Sequence, residues 1–526
     1  MTINFIPNDP LAANLPLRKV APRPERASAA AGFVVDGTQP AALYPVGTPG
    51  FLRWQSRQAA MLAVEAWEAV LGRPITSWVD ELLVDPRRLP LHPDSGEDLN
   101  AFYQRDGLFF WHRSADGTDV DSGASTDLVA HEVGHAVLDV ARPDLWLANF
   151  AEVAAFHEAF GDITAIVTAL HDRRNRVALL AASADLGSAN SIEAVGEQLA
   201  NGYRLVFGVD DPSAEPRRAF NTYRWQLPES LPSAGRAAVL TSEAHSFGRV
   251  MSGCFWTLLR ALLVHDGTHD QAAVWRATRD AGRLLHRGAE SAVLGPRWFR
   301  AVGRAMVLAD QSTNGGAHRE LIGKAFADHG IALGSSAAFA PESMLAGAAP
   351  RAAGDGDGRV EIHPSTMRDL RRRLGTPAKS VLSTATSTVA VDGATTVGYR
   401  QPVALDDLDP RLVGAVAMAD IHVTIGSSGN RAAVLGPMPE PEAHAAAVRA
   451  FVATLVTNDQ IVFDPSGRSA PRVAARASAA AGAGPSARLA PGHATHELRR
   501  EGRAVVLRRV RFTDAGRAHG GHGRPT

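Results

Sequence analysis

The chain has a single cysteine, Cys254, among its 526 residues. That excludes an internal disulfide framework and any multi-cysteine metal site, so a bound metal would have to sit on His, Asp or Glu. Charge of either sign is also not in excess: 54 Lys and Arg stand against 55 Asp and Glu, a formal net charge of -1. With no global basic field to gather polyanions or anionic lipid, neither nucleic acid nor membrane is expected as a partner. No run of eighteen or more apolar residues occurs, and the N-terminal "MTINFIPNDPLAANLPLRKVAPRPERASAAAG" lacks the apolar stretch of a secretory signal. These absences read as a soluble, cytoplasmic protein, with export by a route without a cleaved signal left open. There is no regular internal repeat.

The length exceeds what one hydrophobic core usually supports, so more than one domain is expected. Residues 1–40 read as a flexible arm, with folded structure beginning near Pro45. A large domain is expected over 41–335: helical spacing starts at "GFLRWQSRQAAMLAVEAWEAVLG", "NAFYQRDGLFFW" has the pattern of a hairpin around a turn, and mostly helical segments run to about Leu333. Residues 336–358, rich in Ala, Gly, Ser and Pro, read as a linker. A small α+β domain is expected over 359–465, with strands at "SVLSTATSTVAVDG" and "ADIHVTIGSSG" and a helix carrying Val448, Phe451, Val452 and Leu455. A low-complexity linker, 466–493, then precedes a strand-like tail over 494–526 containing "AVVLRRVRFTD".

The chemistry concentrates in "STDLVAHEVGHAVLD", Ser125 to Asp139. On a helix, positions four apart differ by about 40° in direction, so His131 and His135 can reach one cation, with Glu132 beside them. Zinc held by two neutral imidazoles and one carboxylate keeps a position for water, which Glu132 is near enough to deprotonate. A buried metal-free helix would explain Val129, Val133, Ala136, Val137 and Val140. It would not explain two histidines and a glutamate on one side, because buried ionisable groups need partners. Gly134 weakens the helix by about 1 kcal/mol relative to Ala. The third ligand comes from "ANFAEVAAFHEAFGDITAIVTAL", where Glu152 and Glu158 compete. Glu158 is preferred, since Asp162 follows one turn later and can take the other ring N–H of a metal-bound histidine. His157 points about 100° away and reads as a neighbouring pocket or core residue.

At this point the sequence resembles the thermolysin-like zinc peptidases and the related fungalysin-like group. The resemblance runs in order along "DLNAFYQRDGLFFW", "STDLVAHEVGHAVLD", "HEAFGDITA", "EAHSFGRVMSGCFWTLLRALLVHDG" and "HRELIGKAFADHGIALG", over residues 45–335. It implies an α+β fold of two lobes, an N-terminal sheet lobe and a helical C-terminal lobe with the active cleft between them, plus the extra small α+β C-terminal domain. Substrate would lie antiparallel along the edge strand, held by Asn100 and the Ala101 carbonyl, with backbone hydrogen bonds giving affinity independent of side chains. His245, followed by Gly248, would donate a hydrogen bond to the developing oxyanion, with Glu243 a candidate to orient it. An arginine of "EPRRAFNTYRW" would contact a substrate carbonyl; Arg217 is chosen over Arg218, against the alternative that both are solvated surface charges.

The chain also departs from the family. The spacing from His135 to Glu158 is longer than in thermolysin, and Trp146 stands where thermolysin has a tyrosine that assists the oxyanion. Asp127 is placed like a calcium ligand, but Ala169 occupies a position expected to be acidic, which argues against a family-type calcium site. Asp355 and Asp357 in "DGDGRVE" form an incomplete calcium loop and read as linker. The secretory signal and long prosegment of secreted members are absent.

The sequence therefore predicts a zinc metalloendopeptidase acting on polypeptide through one catalytic zinc ion held by His131, His135 and Glu158. The alternatives are a catalytically silent zinc-bearing scaffold and a zinc hydrolase of a small amide or modified peptide.

Overall fold

The computed structural model describes the chain except residues 80–81, 335–340, 353–359, 377–381, 387–393, 464–492 and 515–526. The fold is mixed α and β, with several separate sheets.

Apolar helices form the centre. Pro49–Leu71 starts on a Thr48 cap that accepts from the Phe51 amide at 3.3 Å, and stops at Gly72, whose φ of 69° suits a residue without Cβ. The helix Ala151–His171 is buried from Ala151 to Leu170. Trp67 of the first stacks on Phe160 of the second at 4.8 Å and donates to Thr164 Oγ1 at 2.9 Å. The motif helix, Thr126–Ala141, packs between these elements and the sheet. Ala244–Asp266, Gln271–Ser291, Trp298–Asn314 and Arg319–Asp328 complete the helical part. Ala151–His171 and Ala244–Asp266 are long and apolar enough to cross a membrane, and 100% and 72% of their apolar windows are buried inside the protein.

The hairpin around "RDG" forms as expected: Ala101–Gln104 pairs antiparallel with Gly107–Phe110, joined by Arg105 and Asp106. It belongs to a five-stranded sheet in the spatial order Phe512–Thr513, Ala101–Gln104, Gly107–Phe110, Arg88–His92, Gly32–Val35. Two of these strands correct the expected boundaries. Residues 1–40 are not a loose arm, because Gly32–Val35 extends this sheet, Ile3–Phe5 pairs with Arg18–Val20, and Ile3, Phe5 and Leu15 are buried. The outermost strand comes from the far end of the chain.

The C-terminal region is built on an eight-stranded sheet around the long strand Ala415–Ser428. Its odd residues Ala415 to Ile425 are all buried, and of the residues facing the other way Asp420, Thr424 and Gly426 are buried too. Val448, Phe451, Val452 and Leu455 of the helix Pro441–Thr457 join the main core against Ala415, Ala417 and Ala419. Leu370 and Leu374 form a second core with Ile421, Val423 and Ile425. The expected linker 336–358 contains the strand Pro341–Ala348 of this sheet, a correction that arises because its pairing partner Arg431–Leu435 lies outside the local window. The strand-like tail expected over 494–526 forms the strands His496–Glu501 and Ala504–Arg509, which join the same sheet. Asp355 and Asp357 lie outside the described residues.

Candidate metal centre and its cleft

The motif helix and the Ala151–His171 helix approach so closely that a Cβ on Gly134 would lie 2.9 Å from Gly161 Cα and 2.6 Å from Thr164 Oγ1. A Cβ on Gly161 would lie 2.5 to 2.7 Å from three atoms of the His131 ring. Glycine at both places is thus what lets the two helices bring their polar faces together, and it accounts for Gly134 inside the motif.

At this crossing the ligand atoms of His131, Glu132 and His135 lie within 4.8 Å of one another. Glu158 Oε2 is 3.3 Å from His131 Nε2 and 3.7 Å from His135 Nε2. His131 Nδ1 meets Asp162 Oδ1 at 2.9 Å. The competing Glu152 is engaged elsewhere: its oxygens accept from Trp225 Nε1 at 3.0 Å and from the Phe299 amide at 2.8 Å, and burial raises it to about 7.

Glu243 caps the Ala244–Asp266 helix by accepting from the Ser246 amide at 3.0 Å, and its other oxygen lies 2.9 Å from His245 Nδ1. His245 Nε2 then lies 3.0 Å from Glu158 Oε2. Gly248, one turn on, would place a Cβ 2.8 Å from the Ala155 carbonyl, so this helix also sits tightly against the glutamate helix. The two candidate arginines separate: Arg217 turns into the cleft, 2.8 Å from Asp162 Oδ1, whereas Arg218 pairs with Glu193 at 2.6 Å.

His131, Glu132, His135 and Glu158 are all buried. His131 Nε2, both His135 nitrogens, both Glu132 oxygens, Glu158 Oε2 and His245 Nε2 make no hydrogen bond. Buried polar atoms without partners are costly, and among these His131 Nε2 and His135 Nε2 both lie within 3.7 Å of Glu158 Oε2, the arrangement a cation would satisfy. Burial pushes the His135 ring well below the ordinary range, toward the neutral form that ligates metal. Burial likewise raises the Glu132 carboxyl well above its ordinary range, with the Asp514 charge adding to it. Burial opposes the charged form of Glu158, but the neighbouring His245, His135 and His131 rings hold it well down. His131 is raised to about 10: burial favours its neutral ring, and the charge of Asp514 together with the contacts to Asp162 and Glu158 outweighs it.

Two expected substrate groups, Asn100 and the Ala101 carbonyl, face the C-terminal strand. Phe512 and Thr513 pair antiparallel with Tyr103 and Phe102, and the Asp514 amide donates to the Ala101 carbonyl at 2.8 Å. Thr513 Oγ1 donates to Asn100 Oδ1 at 2.7 Å. Phe512 stacks on His157 at 4.0 Å and His135 at 4.7 Å, with the edge of Trp146 at 5.5 Å, so His157 and Trp146 line the cleft. Sequence reasoning missed Phe512, Thr513 and Asp514, whose only local signal was a strand-like end. A cavity of about 90 Å³ remains beside Asp514, lined in part by Tyr203, Arg217, Glu243, His245 and Gln460.

Asp127, considered above as a calcium ligand, is buried in the first turn of the motif helix. It accepts from the Leu128 and Gly196 amides at 2.7 and 2.9 Å, near Asp9 and Glu197. Ala169 is buried in the apolar glutamate helix. No protein-family model matches the chain, and no curated protein matches it.

Proposed function

We propose that the chain is a zinc-dependent peptidase of thermolysin-like architecture, with the sheet containing Ala101–Gln104 and the helical part forming the two walls of its cleft. The observation that carries this reading is the convergence of His131, His135 and Glu158 with unpartnered ligand atoms. Bonds of about 2.0–2.2 Å in a tetrahedral zinc shell put ligand atoms about 3.3–3.6 Å apart. The separations of 3.3 and 3.7 Å from Glu158 Oε2 match that requirement.

Zinc, when bound, lowers the pKa of a water from 15.7 to about 7 and polarises a carbonyl. The remaining roles belong to the chain. Asp162 accepts the outward N–H of His131 and fixes the tautomer that leaves Nε2 free, while Arg217 holds Asp162 in place. Glu132, beside the ligands and without another partner, takes the proton of the attacking water and passes it toward the leaving amine. His245, oriented by Glu243, donates Nε2–H to the oxygen that becomes negative as the carbonyl is attacked. The edge of Ala101–Gln104 that Phe512–Thr513 covers in this structure, with Asn100 at its end, would, once vacated, hold an extended peptide independently of most side chains.

The test is elemental analysis of the purified chain together with cleavage of a denatured protein mixture by wild type and Glu132→Gln. One zinc per chain in both, and hydrolysis that requires Glu132, is the expected outcome. Absence of stoichiometric zinc, or full activity in Glu132→Gln, would sink the reading.

A further inference from the structure

The strand Phe512–Thr513 lies where an extended substrate would lie, and it makes the contacts expected of one. It runs antiparallel to Ala101–Gln104, donates to the Ala101 carbonyl, and engages the Asn100 side chain. Phe512 is 1% exposed, its ring stacked on His157 and with the Arg509 guanidinium 4.2 Å from its centroid. Asp514 is 4% exposed and projects toward the metal centre. Its Oδ1 lies 4.0 Å from His131 Nε2, 3.6 Å from His245 Nε2 and 2.9 Å from Arg217.

A strand that merely extended the sheet would have no reason to end on a carboxylate at this place. Glu132, Glu158 and Asp162 already crowd the site, and a further buried carboxylate adds repulsion unless positive charge offsets it. Arg217 supplies part of that charge, but neither Asp514 oxygen makes a hydrogen bond of good geometry. A cation at His131, His135 and Glu158 would supply the rest.

We propose that Phe512–Asp514 is a resident inhibitor of the cleft, with Phe512 filling the side-chain pocket, the backbone occupying the substrate edge, and Asp514 taking the water-facing position of the metal. The proposal rests on the peptidase reading for its metal part alone. The occupied groove names the class of ligand as well: an extended peptide carrying a large aromatic side chain at the place of Phe512. Such a peptide competes with a segment tethered at an effective concentration on the order of millimolar, so its apparent affinity falls by the fraction of time the groove is open.

The test uses the full chain, metal-free and metal-loaded, as wild type and as Phe512→Ala/Asp514→Ala. The probe is a fluorescent peptide of sequence Val-Arg-Phe-Thr-Asp, read by anisotropy on the metal-free proteins. The double variant is expected to bind it at least tenfold more tightly than wild type. Equal binding by the two proteins, or no binding by a double variant with wild-type circular dichroism, overturns the proposal. Should the double variant fail to fold, Asp514→Asn loaded with Co²⁺ replaces it. A changed visible spectrum relative to wild type is expected, and an unchanged one refutes Asp514 as an occupant of the metal's shell. Hydrolysis of unfolded polypeptide is expected to rise at least tenfold in the zinc-loaded double variant. Failure of both proteins to bind zinc or Co²⁺ overturns the peptidase reading, while peptide capture by the metal-free proteins still decides occupancy of the groove.

Discussion

Gly161→Ala adds one methyl group at the point where the helices carrying His131, His135 and Glu158 touch. Its Cβ would lie 2.5 Å from His131 Cε1, 2.6 Å from Nδ1 and 2.7 Å from Nε2. Ordinary contact between such atoms is about 3.5–4.0 Å, so the ring must move by about 1 Å or the helices must separate. The ring has little freedom, because Asp162 holds Nδ1 at 2.9 Å and the side chain is 0% exposed. Overpacking of this kind costs about 1–3 kcal/mol, while replacing a mid-helix glycine by alanine returns about 1 kcal/mol of helix propensity. The net loss of stability is therefore about 0–2 kcal/mol. The loss of metal affinity is larger in proportion, since disturbing the group that orients a ligating histidine typically weakens binding by about 10–100-fold. Urea unfolding of the metal-free protein and zinc competition against a chromophoric chelator separate the two effects. A Gly161→Ala protein that folds and binds zinc as tightly as wild type would refute the placement of His131 as a ligand at this crossing.

Asp162→Asn should leave the fold intact and lower zinc affinity by about 10–100-fold, measured by the same competition; unchanged affinity would separate Asp162 from the metal. In the Phe512→Ala/Asp514→Ala background, His245→Ala should reduce kcat by about 10²–10³ with a smaller change in KM, because the donor acts on charge that develops during the reaction. A KM effect alone would assign His245 to binding. Asp9 offers a pH test remote from His131, His135 and Glu158. Burial first, then the Asp127 charge, raises its carboxyl from 3.8 to about 8, against the amides of Gln198 and Leu11 that lower it. Stability contributed by the protonated form is complete below about pH 4 and is lost as pH rises through about 8. Asp9→Asn should therefore flatten the decline of the urea midpoint over that range, and parallel pH profiles would contradict the assignment.

The motif helix was legible because two periodicities coincide in it: Val129, Val133, Ala136 and Val137 mark the buried side, and His131, Glu132 and His135 mark the polar side. Glu158 was separable from Glu152 through Asp162 one turn later, a relation that helical geometry makes local. His245 and Arg217 were reached only through the resemblance, and the coordinates bring both beside Glu158 or Asp162. Residues 1–40 were misread because strands of three or four residues separated by prolines carry too few positions to show a period. Asp514 stayed hidden for a different reason. Its partners Ala101, Arg217 and His245 are hundreds of residues away in the chain, and antiparallel pairing to an edge strand uses backbone groups that every residue has.

Between the strand Ala504–Arg509 of the C-terminal sheet and Phe512 of the cleft sheet stand only Val510 and Arg511. Two residues span at most about 7 Å when fully extended. Val510 is itself fastened by its amide to the Thr495 carbonyl at 2.9 Å, and Arg511 lies over the Phe102 ring at 4.4 Å. There is no slack with which Phe512 could leave the cleft while Arg509 keeps its place. Vacating the groove therefore requires the Ala504–Arg509 strand to yield, so a force or partner acting on the outer sheet is transmitted to the candidate metal centre through a tether two residues long.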